Sequence, residues 1–215
     1  MLHIAFAKGR IAKTVMKNLA AAGFNFPTYD DDSRKLIFTD ETGMLKVTLV
    51  KSPDVVVYVE RGAADAGVVG SDVIEEDGAG DTYVLLDLGI AKCRMAVAGI
   101  KGRQNVLEKR MITAASKYPR IARAYFESRH KSVDIIKLNG SVELAPLVGL
   151  SDVIVDIVET GTTLKENGLE AYDFFMDLSA RLICNKVSYK MKQDELKKLI
   201  SSCLLYTSDA ADEAR

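Results

Sequence analysis

The stretch from Ser151 to Gly168 constrains the fold more than any other part of the chain, because it joins an apolar run to a polar, glycine-containing turn. The β-branched run from Val153 to Val158 is interrupted by Asp156 and predicts a buried parallel strand. Glu159 ends the run, and Thr160-Gly161-Thr162-Thr163 follows, with room for one helical turn before the next glycine. A strand that leads directly into a helical turn is typical of α/β proteins.

The turn formed by Thr160, Gly161, Thr162 and Thr163 has the chemistry of a site for a phosphate monoester. Its glycine allows close approach of the backbone, and the first N–H groups of a helical turn attract an anion. Asp156 and Glu159 would repel a phosphate, so ribose hydroxyls or a Mg²⁺ ion are their natural partners. The alternative is a purely structural turn capped by Thr160. The two acids favour a ribose 5-phosphate site.

Length and composition limit the other classes of function. The 215 residues suffice for one large domain or two small lobes, and 48% of them are hydrophobic. A net charge of −1 gives no reason to expect nucleic acid or a membrane surface as a partner. No apolar run is long enough to span a membrane, and no signal peptide is recognisable. The three widely spaced cysteines predict reduced thiols and a cytoplasmic location.

Two further glycine-containing stretches stand where a predicted strand meets a predicted helix. Lys8-Gly9-Arg10 follows a strand over 3–7 and precedes a helix from Ile11, so its cations would attract a polyphosphate near free N–H groups. A solvated basic loop is the alternative. Gly70, Ser71 and Asp72 follow a strand over 66–69, where they could contact a ligand or simply cap a helix.

The second half of the chain predicts repeated strand–helix units. Strands are expected over 111–115 and 133–137, with helices after each, the second helix beginning at 140–143. Because the carboxyl ends of parallel strands meet at one edge of a sheet, the polar residues after these strands should converge on one crevice. These residues are Ser116, Lys117, Ser141, Glu143 and Thr160.

Taken in order, these stretches resemble the ATP phosphoribosyltransferase family. The T-G-T-T turn is similar to the phosphoribosyl-pyrophosphate loop of phosphoribosyltransferases, and Lys8-Gly9-Arg10 is similar to the family's triphosphate-contacting motif. Residues 61–72 resemble its G-x-x-D-x-G-[IV]-x-G-x-D segment. The resemblance covers roughly 2–204 and fits the short form of the family, which lacks a C-terminal regulatory domain.

The resemblance implies two α/β lobes like a type II periplasmic binding protein, joined by two crossings. The first lobe would comprise about 1–90 plus 175–215, and the second about 91–174. The implied reaction joins N1 of ATP to C1 of 5-phosphoribosyl 1-pyrophosphate and releases pyrophosphate, the first step of L-histidine biosynthesis. Mg²⁺ would be carried on the substrate phosphates, with Asp156 or Glu143 as candidate ligands.

The resemblance also implies roles for individual residues. Lys8, Arg10 and Arg34 would act in catalysis by clamping the pyrophosphate and the ATP phosphates. Residues assigned to phosphoribosyl pyrophosphate are Asp156, Glu159, Thr160, Gly161, Thr162, Thr163 and Glu143. Residues assigned to ATP are Lys8, Gly9, Arg10, Gly70, Ser71 and Asp72. The implied partners are a second copy in a homodimeric core and a regulatory subunit resembling histidyl-tRNA synthetase.

Two other functions remain open from the sequence: a non-catalytic two-lobed protein that binds a small anion, and a phosphoribosyltransferase for another base.

Strands returning to the first lobe are expected over 173–190, followed by a helix over 193–204. The final stretch, 205–215, does not resemble the family. We expect it to be an appended or misread end, disordered or loosely helical, and without function.

Overall fold

The structure, a computed structural model, describes residues 1–30 and 33–201. They form two compact units: unit 1 comprises Met1–Ala91 and the chain from Ser179, and unit 2 comprises Lys92–Leu178. The chain therefore passes between the units twice. Each unit has its own mixed β-sheet and helices, as the expected α/β class requires. The tail 205–215 lies outside the described residues.

In chain order the elements are β1 (Leu2–Ala7), α1 (Arg10–Ala21), β2 (Ile37–Thr39), β3 (Leu45–Val50), α2 (Asp54–Glu60), β4 (Ala66–Gly70), α3 (Ser71–Asp77), β5 (Thr82–Asp87), β6 (Cys93–Ile100), a 3-10 helix (Gln104–Glu108), β7 (Met111–Ser116), α4 (Pro119–Ser128), β8 (Ser132–Lys137), α5 (Leu144–Leu147), β9 (Val153–Val158), α6 (Thr162–Glu166), β10 (Leu169–Leu178), β11 (Ala180–Asn185), α7 (Lys186–Met191) and α8 (193–201). Within these described residues, we find no helix both long and apolar enough to cross a membrane.

The described sheet of unit 1 has the order β2-β3-β1-β4-β11-β5. β1 is parallel to both β3 and β4, whereas β11 is antiparallel to its neighbours β4 and β5. The apolar stripe of α1, which includes Val15 and Leu19, packs against β1. On the other face a Cβ at Gly67 would lie 2.7 Å from Val55 and 2.8 Å from Val59, so this glycine lets α2 approach β4.

The described sheet of unit 2 has the order β10-β6-β9-β7-β8. β7 is parallel to β8 and β9, while β6 is antiparallel to β9 and β10 is antiparallel to β6. β9 is the strand predicted from the β-branched run, and it is parallel to only one of its two neighbours. The carboxyl ends of β7, β8 and β9 share one edge of the sheet, and the end of β6 lies at the opposite edge.

Two segments differ from the sequence prediction. The predicted helix start at 140–143 is wrong, because Ser141 has a φ of +48° and α5 begins only at Leu144. The predicted strand also fails over 186–191, which is α7. The reason is Asn185, whose side-chain oxygen accepts hydrogen bonds from the amides of Val187 and Ser188 and so caps that helix.

Asp65, the acid of the 61–72 segment, has a structural role in unit 1. Its carboxylate accepts hydrogen bonds from the amide of His3 at 2.9 Å, Ser188 Oγ at 2.7 Å and Lys192 Nζ at 2.6 Å. The Asp65 side chain is only 12% exposed. One carboxylate therefore ties the first strand to α7 and the residue after it.

Replacing Asp65 with asparagine should lower the free energy of unfolding by about 2 kcal/mol, because it leaves a half-buried ammonium without its counter-charge. Burial alone would raise the pKa of Asp65, but the bonds from Lys192 and Ser188 outweigh it and hold the pKa below 3.8. The loss of unfolding free energy in Asp65→Asn should therefore be complete above pH 3.8 and become smaller below it. Urea denaturation measures it. Asp81→Asn, at an exposed ion pair with Lys186, is the control and should change little.

His3 should make unit 1 less stable at mildly acidic pH. Burial and then the charge of Lys46 lower the pKa of His3 below its ordinary 6.5, although Asp65 opposes them. Protonation of His3 is therefore less favourable in the folded state than in the unfolded state. The free energy of unfolding should decrease as pH falls below 6.5. The urea midpoint should decrease between about pH 7.5 and about pH 5.5. In His3→Gln, which can still bond the hydroxyl of Thr48, the decrease should be smaller; an identical decrease would contradict the assignment.

Candidate active site

A cavity of about 400 Å³ opens at the carboxyl end of β9 in unit 2. It contains every residue that the sequence assigned to phosphoribosyl pyrophosphate. The residues lining it are Ala96, Ala98, Glu143, Ile154, Asp156, Ile157, Val158, Glu159, Thr160, Gly161, Thr162, Thr163 and Leu164. The cavity therefore brings together the acids and the T-G-T-T turn, which were linked only by proximity along the chain and by resemblance.

The T-G-T-T turn has a left-handed glycine at its centre. Gly161 has a φ of +74°, and its carbonyl accepts the Lys165 amide at 3.1 Å, which starts α6. Thr160 Oγ1 lies 3.0 Å from Thr162 Oγ1, so the two hydroxyls stand on the same side of the turn. A Cβ at Gly161 would meet only Val158, at 3.8 Å, so backbone conformation rather than space requires glycine here. The resulting turn presents hydroxyls and first-turn amides to the cavity.

The charged residues lining the cavity are all acidic. Glu143, Asp156 and Glu159 contribute carboxylates, and none of the lining residues in the described part of the chain is a lysine or an arginine. Residues 1–30 and 33–201 hold no group of three or more His, Cys, Asp or Glu side chains placed to bind a metal ion. A divalent cation here would therefore need oxygens from a ligand in addition to one or two carboxylates.

The predicted convergence after the strands of unit 2 is only partly correct. Glu143 and Thr160 line the cavity, but Ser116, Lys117 and Ser141 are not among its lining residues. Ser116 is fully buried, donates to the carbonyl of Val155 at 2.6 Å and accepts the Tyr118 amide at 2.8 Å. Its hydroxyl therefore fastens the start of α4 to the neighbouring strand.

Two small residues of the cavity were missed by sequence reasoning. Ala96 and Ala98 lie on one face of β6, beside Asp156 and Ile154 of β9, and line the cavity. Their alternation with Met95 and Val97 is the only signal that the sequence offered. Small side chains at these positions leave room for a ligand above the sheet.

The basic residues assigned to phosphates after β1 lie in unit 1. Gly9 has a φ of +103° and turns the chain from β1 into α1, which begins at Arg10. The Lys8 amide bonds the carbonyl of Val50 at 2.8 Å, and Arg10 Nη2 donates to the carbonyl of Ala91 at 3.3 Å. Both side chains are exposed.

The remaining assigned residues of unit 1 differ in their surroundings. Arg34 is exposed and lies in the segment that precedes β2. Ser71 is buried, and its Oγ accepts the amide of Ser179 at 3.2 Å, so this hydroxyl already has a structural partner. A Cβ at Gly70 would meet the carboxylate of Asp72, so the Asp72 side chain would have to move to admit one.

Two mixed α/β units joined by two chain crossings define a two-lobed α/β protein, and the second unit carries an acid-flanked T-G-T-T turn at a cavity. The family model described as "HisG: ATP phosphoribosyltransferase" matches residues 51–203. An ATP phosphoribosyltransferase of Clostridioides difficile is 50% identical over 199 residues, covering 93% of this chain and 95% of that protein. The chain belongs to the ATP phosphoribosyltransferase family, as its motifs predicted.

Solved structures support the same fold. A chain of the ATP phosphoribosyl transferase (HisG:HisZ) complex from Thermotoga maritima has a TM-score of 0.81 and 34% identity, covering 98% of this chain and 99% of that one. The periplasmic aliphatic sulphonate binding protein SsuA from Escherichia coli has a TM-score of 0.60 at 12% identity, over 98% of this chain and 71% of that one. The second likeness concerns the fold alone and confirms the expected periplasmic-binding-protein architecture.

Proposed function

We propose that the chain joins N1 of ATP to C1 of 5-phosphoribosyl 1-pyrophosphate and releases pyrophosphate, as the first step of L-histidine biosynthesis. The observation that carries the proposal is the cavity of unit 2, where an acid pair and a T-G-T-T turn line the same space. Membership of the family supports the reaction. Such a displacement has oxocarbenium character, so it requires aligned substrates and neutralised leaving-group charge rather than a covalent intermediate.

In unit 2 the turn would hold the 5-phosphate. Thr160, Gly161, Thr162 and Thr163 offer hydroxyls and backbone amides without a side-chain charge, which suits a monoester. Asp156, Glu159 and Glu143 would accept hydrogen bonds from the ribose hydroxyls. These acids would also hold the anomeric carbon in place for attack.

In unit 1 the groups after β1 would hold the pyrophosphate and the ATP phosphates. Arg10, with Lys8 and Arg34, would neutralise the charge that develops on the leaving group. Gly9, Gly70, Ser71 and Asp72 would border the nucleotide. Ser71 Oγ already accepts the amide of Ser179, and its hydroxyl hydrogen would donate to a nucleotide oxygen.

Mg²⁺ fits this donor set as an ion bound mainly by substrate phosphates. Magnesium retains few protein ligands and prefers carboxylate and phosphate oxygens. Asp156 or Glu143 would supply the protein oxygen, in agreement with the acidic lining of the cavity. When bound, the ion would offset charge on the pyrophosphate that the acids of unit 2 cannot neutralise.

The chain would work in a hetero-oligomer, with a homodimeric core and a regulatory subunit that resembles histidyl-tRNA synthetase. The support is the likeness to a protein solved as a HisG:HisZ complex. We place this assembly in the cytoplasm, where the free thiols of Cys93 and Cys184 would stay reduced. Size-exclusion chromatography with light scattering, with and without such a subunit, tests the assembly.

The decisive experiment mixes the purified chain with MgATP and phosphoribosyl pyrophosphate, with and without a regulatory subunit. We expect pyrophosphate release and the ultraviolet absorbance of an N1-substituted adenine. A protein that only binds an anion would bind the sugar phosphate without releasing pyrophosphate. An enzyme for another base would prefer free adenine to ATP in competition, and either result would replace the proposed function.

A further inference from the structure

Unit 2 contains a second cavity at the edge of its sheet opposite the T-G-T-T turn. It has a volume of about 250 Å³ and lies where β7 and β9 begin and β6 ends. Its apolar walls are Ile100, Val106, Pro146 and Leu150. Its polar and other lining residues are Arg103, Lys109, Thr113, Gly149, Ser151 and Asp152. It shares no residue with the cavity at the carboxyl end of β9.

Ser151 provides an unsatisfied hydrogen-bonding group in this cavity. The residue is 9% exposed, and its Oγ is the buried side-chain polar atom that has no hydrogen-bond partner among the described residues. Burial of an unbonded hydroxyl is costly, so such groups normally bond a water molecule or a ligand. A partner for Ser151 Oγ would have to come from the cavity that this residue lines.

The charges around the cavity favour an anion. Both oxygens of Asp152 are engaged, one by Lys109 Nζ at 2.5 Å and the other by the Thr113 amide at 3.0 Å. Burial alone would raise the pKa of Asp152, but these two bonds lower it, so the carboxylate is ionised and already neutralised. The guanidinium of Arg103 makes no hydrogen bond or ion pair with any described residue. Since Lys109 and Asp152 neutralise each other, the charges among the lining residues sum to one positive charge, that of Arg103.

We infer that this cavity is a second ligand site of unit 2, for a small monocarboxylate with a short apolar body. The carboxylate would bond the guanidinium of Arg103 and the hydroxyl of Ser151, and the apolar body would contact Ile100 and Leu150. Arginine provides paired donors that match a carboxylate. This site is independent of the proposed catalytic function, because none of its residues is assigned to ATP or phosphoribosyl pyrophosphate.

Butyrate is the probe, followed by amide chemical shifts of the full chain in NMR titrations. We expect saturable shifts at Thr113, Gly149 and Ser151, with a dissociation constant on the order of 1 mM, and none at Thr160 to Thr163. Butanol, which has the same apolar body but no charge, should bind at least about tenfold more weakly. An equal response to butanol, or no saturation up to about 100 mM butyrate, would overturn the inference.

Two variants and a matched control assign the site to its residues. Arg103→Gln should weaken butyrate binding roughly tenfold, and Ser151→Ala about threefold. Ser151→Ala should not lower the urea midpoint, because its hydroxyl bonds no residue within 1–30 or 33–201. Arg110→Gln removes an exposed charge that does not line the cavity and should leave the affinity unchanged. Unchanged affinity in Arg103→Gln, or equal weakening in Arg110→Gln, would refute the assignment.

Discussion

Replacing Gly161 with valine should abolish measurable binding of phosphoribosyl pyrophosphate while unit 2 remains folded. The φ of +74° at this position costs an L-residue about 1–2 kcal/mol, and a β-branched residue more, so the turn would leave its conformation. The amides and hydroxyls that face the cavity would then no longer converge. Loss of two or more bonds to a charged phosphate predicts a decrease in affinity of at least about 100-fold. Isothermal calorimetry with the magnesium complex of the substrate measures it.

Gly168→Val is the matched control for this prediction. Gly168 has a φ of +69°, lies in the same unit after α6, and does not line the cavity. The substitution therefore imposes the same kind of backbone strain without altering the turn. We expect a similar loss of stability in urea but nearly normal affinity. If both variants lose binding equally, strain in unit 2 rather than the turn would be responsible.

Arg10→Ala should lower kcat by about 1,000-fold, the effect typical of removing a group that stabilises charge in a transition state. On an exposed side chain, the guanidinium of Arg10 makes a 3.3 Å hydrogen bond to the carbonyl of Ala91. Its loss should cost less than about 1 kcal/mol of stability. Arg10→Lys keeps the charge but not the paired donors and should recover only part of kcat. Steady-state kinetics and urea denaturation measure the two effects.

Lys17→Ala provides the control for Arg10. Lys17 is an exposed cation on the same helix, two turns further along, and no catalytic role is assigned to it. Its removal changes the net charge of the protein by the same amount. We expect unchanged kcat in this variant. Normal turnover in Arg10→Ala would end the assignment of Arg10 to the leaving group.

The parts predicted well from sequence are those that short-range chemistry decides. The β-branched run predicts β9, and the glycine-containing turn predicts the start of α6, within a few residues of where they occur. The spacing of apolar residues over α1 likewise predicts which face of this helix is buried. The assignment of a phosphate to the T-G-T-T turn also depends on adjacent residues, and it stays a prediction.

The parts that failed depend on contacts between distant residues or on one unusual backbone angle. Nothing near Ser71 in sequence reveals that Ser179, 108 positions away, bonds its hydroxyl. The left-handed Ser141 cannot be read from Gly140-Ser141-Val142, which resembles an ordinary helix start. Ala96 and Ala98 line the cavity because β6 runs beside β9, a pairing that the sequence does not encode locally.

The position of β11 between β4 and β5 has a consequence for the order of assembly during synthesis. Unit 2 is one uninterrupted stretch of chain and has all five of its strands once the ribosome has extruded Leu178. Unit 1 emerges first, yet its sheet lacks the strand that joins β4 to β5 until Asn185 leaves the exit tunnel. The later-translated half should thus acquire protease resistance before the earlier one.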